Sequence, residues 1–421
     1  MCNQVSEYLS FLSQSPTSFH AADVLTRQLA NAGYTQQDEC EAWAGHDRGY
    51  IQRGGSVIAW RISEVTDYTG FRIVGSHTDS PTFRLKPVSA SAYGFSQVAV
   101  EVYGGPLLNS WLNRDLGIAG LLTEIDGTTH LVRTDPCMVI PQLAPHLDRE
   151  QNSTLKLSAQ RDYKPIWACG EHDIMEYICA QAEVDPQRVA AGDLFAYEAS
   201  APRQFGGPDG TDFVAGARQD NLSSVYAALR AFLGQSSSES SHDIQIFVAF
   251  DHEEVGSETF AGAAGPFLES VLRRLAVHLY PQDHGDERFV RMMALSSCIS
   301  ADAGHSINPN RPQKHDPEHQ PVLGSGPMLK INASQRYATE SQGSALWLRA
   351  CYWAQIASQE FVSHNDVSCG STIGHITATR LGITTVDVGV PLLSMHAARE
   401  LSAFSDILDL SRALEGYWAG V

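Results

Sequence analysis

The sequence predicts an α/β protein, with a mixed or parallel sheet flanked by helices and an inserted β-rich domain. Three observations support this: short apolar runs that end in polar clusters, helical periodicity between those runs, and a middle segment of alternating polarity. At 421 residues and 43% hydrophobic content, the chain is long enough for two or three domains with large buried cores.

Four apolar runs of strand length, at residues 71–74, 244–250, 292–299 and 383–388, predict strands covered on both faces. Between them, apolar residues at 222, 225, 226, 229, 232 and 233 have helical spacing, with Asp220 or Asn221 at the N-cap. Alternating strands and helices indicate an α/β sheet.

The middle of the chain has a different pattern. Residues 97–103 and 130–133 alternate in polarity, Gly104-Gly105 is a turn pair, and long helical periods are few. We therefore predict a catalytic α/β domain formed by residues 1–90 and 204–421, with a β-rich domain inserted at residues 91–203.

Charge and cysteine use limit the partners and the compartment. The chain has 29 Lys and Arg against 48 Asp and Glu, a net charge of −19, which disfavours binding to nucleic acid or an anionic membrane. No apolar run reaches about 18 residues, and the N-terminus lacks a basic-then-apolar export pattern. Eight scattered cysteines fit buried thiols in a reducing compartment, so we expect a cytoplasmic protein.

Polar residues follow each predicted strand. Because ligands of an open α/β sheet bind outside the carboxyl ends of its strands, these side chains are expected to meet. Histidine nitrogens and carboxylates are the ligands expected for a pair of zinc-like ions, whose charge of +4 would balance four carboxylates. The candidates are His77, Asp79, Asp220, Glu253, Glu254, Asp302 and His396.

Each candidate has an ordinary structural alternative. A strand-end histidine is usually structural, paired glutamates often lie in a solvated loop, and Asp220 before Asn221 is a simple N-cap. Asp302 fits turn chemistry, and His396 fits a surface position on a terminal helix. The metal hypothesis is favoured because every candidate falls at a strand end or a helix start of the same sheet.

Five motifs in order resemble those of the aspartyl aminopeptidase family of dinuclear zinc peptidases, and the similarity runs nearly end to end. One departure is that Asn308 stands where the family often has a histidine. The motifs are VGSHTDSP at 74–81, ARQDNL at 217–222, DHEEVGS at 251–257, SAD at 300–302 with His305, and SMHAARE at 394–400.

The resemblance implies two divalent ions, zinc or alternatively cobalt or manganese. His77, Asp220 and Asp302 would hold one ion and Asp220, Glu254 and His396 the other, with Asp220 bridging. Glu253 would be the general base for a metal-activated water, and Asp79 would orient His77. A cis peptide between Asp220 and Asn221 is also implied.

The resemblance further implies an oligomer. The inserted domain would build a dimer, and dimers would assemble into a tetrahedral dodecamer in which His146 reaches a neighbour's active site as an oxyanion donor. Lys330, one of five lysines, would receive an acidic substrate side chain, unless it only snorkels or forms a salt bridge. His305 and Arg336 are the other substrate-binding candidates.

The predicted function is removal of N-terminal residues, Asp or Glu by preference, from peptides with a free N-terminus. One alternative is a related dinuclear aminopeptidase with broad or neutral specificity. Another is a metal-bound shell or cargo protein without turnover. An intact Glu253 beside all five ligands argues against the shell protein, which has no need of a base.

Overall fold

A nine-stranded mixed sheet forms the centre of the computed structural model, which describes residues 2–43, 45–63, 66, 69–234, 242–282 and 286–420. Its four central strands are parallel to one another, as predicted. In spatial order the strands are Thr35–Gln36, Arg48–Arg53, Ser56–Arg61, Ile244–Phe250, Phe71–His77, Ser297–Ala301, Thr384–Gly389, Met328–Ile331 and Gln359–Val362.

Helices cover both faces of this sheet. Alternate strand residues enter different cores: Val74 and Phe247 pack in one, and Ile73 and Ile246 in the other. The first core takes apolar residues from helices Cys2–Gln14, Ser18–Asn31, Gln219–Gly234, Ser341–Ala354 and Phe404–Trp418. The second takes them from Phe267–Leu279, Asp286–Ala294 and Ile373–Leu381. The α/β prediction is therefore confirmed as a three-layer arrangement.

The predicted strand at residues 292–299 was wrong in its first half. Helix Asp286–Ala294 includes Met292 and Met293, and the strand begins only at Ser297. Methionine and alanine are good helix formers, and both methionines are buried against the second core. The hydrophobic run continues from the end of this helix into the start of the strand, so the prediction merged the two elements into one strand.

A second, antiparallel sheet is built from the middle of the chain. Its strands, in spatial order, are Thr129–Arg133, Leu116–Glu124, Val189–Glu198, Thr82–Leu85 and Val100–Tyr103. Helix Ile174–Ala182 packs on it through Ile174 and Ile178. The run at 97–103 is divided between two sheets, because Phe95–Gln97 pairs instead with Ala90–Ala92 and Ile166–Cys169.

Smaller elements connect these parts. Arg203–Phe205, Phe213–Gly216 and Glu400–Ser402 form a three-stranded sheet, and Gly304–His305 pairs with Pro391–Leu392. Short 3-10 turns span Leu108–Trp111, Glu253–Val255 and Pro312–Lys314. Among the described helices, none combines the length and the apolar character needed to cross a membrane.

Candidate metal centre

Seven predicted site residues converge where the central strands end. His77 is the last residue of its strand, Asp302 directly follows another, and Glu253 opens the short turn after strand Ile244–Phe250. Asp220 precedes the regular part of its helix with non-helical backbone angles, and the peptide bond to Asn221 is cis, as the resemblance implied. Parallel strands bring these positions to one edge of the sheet.

The ligand atoms form overlapping groups of three. Within each group they lie within 4.8 Å of one another: one group is His77, Asp220 and Asp302, and another is Asp220, Glu254 and His396. Both sets predicted from the sequence are thus brought together, with Asp220 common to both. Glu253 lies beside them, in a group with His77 and Glu254.

Each histidine turns its Nε2 atom toward the carboxylates. His77 Nε2 lies 3.5 Å from Asp220 Oδ1 and 3.4 Å from Asp302 Oδ1. His396 Nε2 lies 3.4 Å from Asp220 Oδ2 and 3.5 Å from Glu254 Oε1. The opposite ring nitrogens contact backbone carbonyls, of Asp79 at 3.1 Å and of Gly105 at 2.9 Å, which orients both rings.

The donor set fits zinc. Two ligands about 2.0 to 2.2 Å from a tetrahedral zinc ion lie roughly 3.3 to 3.6 Å apart, close to the separations between the histidine nitrogens and the carboxylate oxygens. Asp220 Oδ1 and Glu254 Oε1 are buried and make no hydrogen bond within the described part of the chain. Buried carboxylate oxygens without partners are costly, and a cation would satisfy them.

The electrostatics also favour a cation. Burial lowers the pKa of His396, but hydrogen bonding to Asp220 and the charge of Glu254 outweigh it and raise that pKa to about 10. Burial and neighbouring carboxylates raise the pKa of Glu253 to about 8. The negative potential that retains protons on these groups would equally hold a metal ion, which competes with protons for its ligands.

Asp79 connects His77 to the glutamate turn. Its Oδ1 lies 3.4 Å from His77 Nδ1 and accepts the Glu253 N–H at 3.0 Å. Its Oδ2 accepts the Glu254 N–H at 3.1 Å and the Tyr103 hydroxyl at 2.8 Å. One carboxylate therefore orients a candidate ligand and holds the backbone of the candidate base.

Two residues of the site were missed in the sequence. Tyr103 lies in the run of alternating polarity at 97–103, so the sequence pattern indicated only a strand. Glu400 was part of a quoted motif, yet no role followed from it; its carboxylate accepts the backbone N–H groups of Asp220 and His396. Contacts to a main chain leave no spacing signal in a sequence.

The substrate-binding candidates differ in position. Lys330 is buried and contacts Asp302 and the Ala303 carbonyl, so a snorkelling role is excluded, whereas the salt-bridge alternative is observed. His305 sits at the exposed rim with its ring centroid 6.2 Å from that of Phe361. The Arg336 side chain is exposed, and no described contact joins it to the ligands.

His146 and Asn308 lie away from the cluster. His146 is in an exposed turn, and among the described residues no contact connects it to the ligands of its own chain. The side-chain oxygen of Asn308 accepts a hydrogen bond from the Asn310 backbone N–H at 3.0 Å. The backbone N–H of Asn308 donates to the His315 ring. The residue that departs from the family pattern therefore stabilises a turn.

An α/β sheet that gathers histidines and carboxylates at its carboxyl edge, with a further glutamate beside them, defines a metal-dependent hydrolase. Residues 11–418 match the family described as Aminopeptidase I zinc metalloprotease (M18). The chain is 44% identical over 424 residues to the probable M18 family aminopeptidase 2 of Streptomyces avermitilis, covering 98% of this chain and 97% of that protein.

Solved structures agree with this match. A chain in the cryo-EM structure of the Ape4 and Nbr1 complex superposes with a TM-score of 0.93 at 31% identity, covering 98% of this chain and 85% of that one. The S. cerevisiae mApe1 dodecamer gives 0.84 at 26% identity, covering 99% and 97%. The chain belongs to the M18 family, the aspartyl aminopeptidase family, and is a zinc-dependent aminopeptidase that hydrolyses peptide bonds.

Proposed function

We propose that this aminopeptidase binds two metal ions and removes acidic N-terminal residues from peptides. The observation that carries the proposal is the sharing of Asp220 between two three-residue ligand groups, with Glu253 beside them. His77, Asp220 and Asp302 would hold one zinc ion, and Asp220, Glu254 and His396 the other. Cobalt and manganese are alternatives with similar preferences for these ligands.

Zinc bound there supplies Lewis-acid chemistry and lowers the pKa of water. The protein's own side chains would transfer the protons and position the base. Glu253, raised in pKa and not required in either ligand set, would accept a proton from the attacking water and return it to the leaving amine. Asp79 would keep that carboxylate in place through the Glu253 backbone.

The proposed preference for Asp and Glu rests on Lys330. Its ammonium is buried within the site, the environment in which an ion pair with a substrate carboxylate gains most. His305 at the rim and the exposed Arg336 would assist binding. The existing pairing of Lys330 with Asp302 favours a second candidate, an aminopeptidase of broad or neutral specificity, in which the lysine is structural.

The proposed assembly is a dimer made through the inserted domain at residues 91–203, with dimers forming a tetrahedral dodecamer. The dodecameric relative supports this, and so do Leu143 and Leu147, which flank His146 and are 52% and 75% exposed. Exposed leucines on a turn are suited to burial at an interface. His146 would then reach a neighbour's site. We further propose a cytoplasmic location, in keeping with seven free cysteines among the described residues.

The decisive experiment is hydrolysis of a panel of aminoacyl chromogenic substrates, before chelation, after it, and after adding back zinc, cobalt or manganese. We expect activity to be lost and restored, with Asp and Glu substrates cleaved fastest. Equal or faster cleavage of neutral residues would support the broad-specificity candidate. Activity that survives complete metal removal would contradict the whole proposal.

A further inference from the structure

A single buried carboxylate holds the main chain of two proposed ligands. Glu400 is 2% exposed; its Oε2 accepts the Asp220 N–H at 3.0 Å, and its Oε1 accepts the His396 N–H at 2.9 Å. Asp220 precedes the regular part of its helix, and His396 lies in a loop that comes much later in the sequence, although the two side chains meet in the site. Glu400 is therefore a direct link between two segments that each supply a ligand.

Both segments need such a link because neither has regular backbone geometry. Asp220 has non-helical angles of φ −83° and ψ 104°, and His396 has φ 63°, in the left-handed region that non-glycine residues seldom adopt. Buried N–H groups require an acceptor, and an ionised carboxylate is a strong one.

Glu400 is itself held in place. Its residue pairs with Gly216 in the three-stranded sheet, and its carbonyl accepts the Gln219 side-chain amide at 3.0 Å. The side-chain oxygen of Gln219, Oε1, in turn accepts hydrogen bonds from the hydroxyls of Tyr8 and Ser402. Glu400 is thus held by a buried hydrogen-bond network.

A glutamate at this position has an electrostatic cost. It adds a negative charge beside Asp220, and like charges in a buried site disfavour one another. Glutamine would avoid that charge, but it has one acceptor oxygen, and its amide nitrogen would face an N–H donor. Here each oxygen of the side chain accepts one N–H group, an arrangement that a carboxylate satisfies and an amide does not.

We propose that Glu400 is a positioning residue that sets the spacing between Asp220 and His396 and so stabilises the ion held by Asp220, Glu254 and His396. The other ion depends on it less, because His77 and Asp302 are placed by strands of the central sheet. This inference rests on the two-ion site proposed above.

The test is a titration of metal-free protein with Zn²⁺ alone, comparing the full-length wild type with Glu400→Gln by calorimetry and by metal content after dialysis. We expect two ions per wild-type chain. In the variant, one ion should bind as before, and affinity for the second should fall about 10- to 100-fold, the usual effect of losing a residue that orients ligands.

A matched control separates positioning from general stability. Asp406 is also fully buried and accepts two backbone N–H groups, from Gly324 at 2.7 Å and Gly326 at 2.9 Å, but neither glycine is a proposed ligand. Asp406→Asn should lower the thermal unfolding temperature and leave both zinc affinities unchanged. Equal weakening of zinc binding in the two variants would overturn the proposal.

Double variants assign the affected ion. In a His396→Ala background, adding Glu400→Gln should change the zinc affinity little. In an Asp302→Ala background, adding it should lower the affinity for the zinc ion that remains bound. The reverse pattern, or wild-type affinity for both ions in Glu400→Gln, would overturn the inference. If Glu400→Gln does not fold, Glu400→Asp is used; it is one methylene shorter and can reach only one N–H. A wild type that binds fewer than two ions would overturn the two-ion site as well.

Discussion

The Lys330 ammonium lies 3.4 Å from Asp302 Oδ2, so a candidate substrate-binding lysine contacts a candidate metal ligand. Lys330 also donates to the Ala303 carbonyl at 2.7 Å. The Ala303 hydrogen bond and the Asp302 ion pair use at most two of the three ammonium protons, which leaves one for a substrate. Under the proposed function Lys330 would serve both the metal centre and an acidic substrate, and kinetics with different substrates can separate the two roles.

Lys330→Met should lower kcat/KM for aspartyl and glutamyl substrates about 10- to 100-fold, the scale of one lost charged hydrogen bond. Leucyl and alanyl substrates should change much less, because they do not use the ammonium. Lys314→Met, at an exposed position, is the control and should behave as the wild type. A parallel fall for every substrate would assign Lys330 to the metal centre alone.

Glu253→Gln should retain both metals and the fold while turnover falls by about 10² to 10⁴-fold or more, since the variant removes the base and spares the ligands. Metal content and kcat measured on the same sample check this. Glu258→Gln, an exposed glutamate just beyond the same turn, is the matched control. Loss of metal in proportion to activity would show that Glu253 is a ligand.

Asp220→Asn should lose both metal ions together, because one carboxylate contacts both histidines and belongs to both ligand groups. His396→Ala should lose only one ion, since it belongs to one group. Metal content after dialysis distinguishes the two outcomes. One ion retained in Asp220→Asn would contradict a bridging role.

His146→Ala should lower kcat about 10²-fold or more without changing the oligomer, the scale of one lost oxyanion donor. Mixing it with Glu253→Gln subunits gives a sharper test. In a mixed dimer, one site would combine its own Glu253 with a partner's His146, so activity should return after subunit exchange. Proven mixed oligomers without recovered activity would show that His146 serves its own subunit or none.

The buried strands of the central sheet could be predicted from the sequence more accurately than the boundaries of the elements beside them. The strand that ends at His77 and the strand that precedes Asp302 are short and almost fully buried, so their composition was enough to find them. At Met292 the same hydrophobic signal misplaced a boundary, because a helix and a strand buried in one core share that composition. Hydropathy reports burial, and it does not distinguish the two backbone geometries when a segment is short.

The side chains of the candidate metal centre could be named from the amino-acid sequence alone. The predicted strands are parallel, so their carboxyl ends, which carry His77, Glu254 and Asp302, lie at one edge of the sheet. The sequence motifs around these residues identify the family. How those side chains are held became clear only from the three-dimensional fold: Asp79 contacts the glutamate turn, Lys330 contacts Asp302, and Glu400 accepts the backbone N–H groups of Asp220 and His396. Each strand is marked by a local hydrophobic run, so the positions of the strand ends can be found from the sequence. A carboxylate that accepts main-chain N–H groups can serve any residue type, so its partners are set by three-dimensional packing alone.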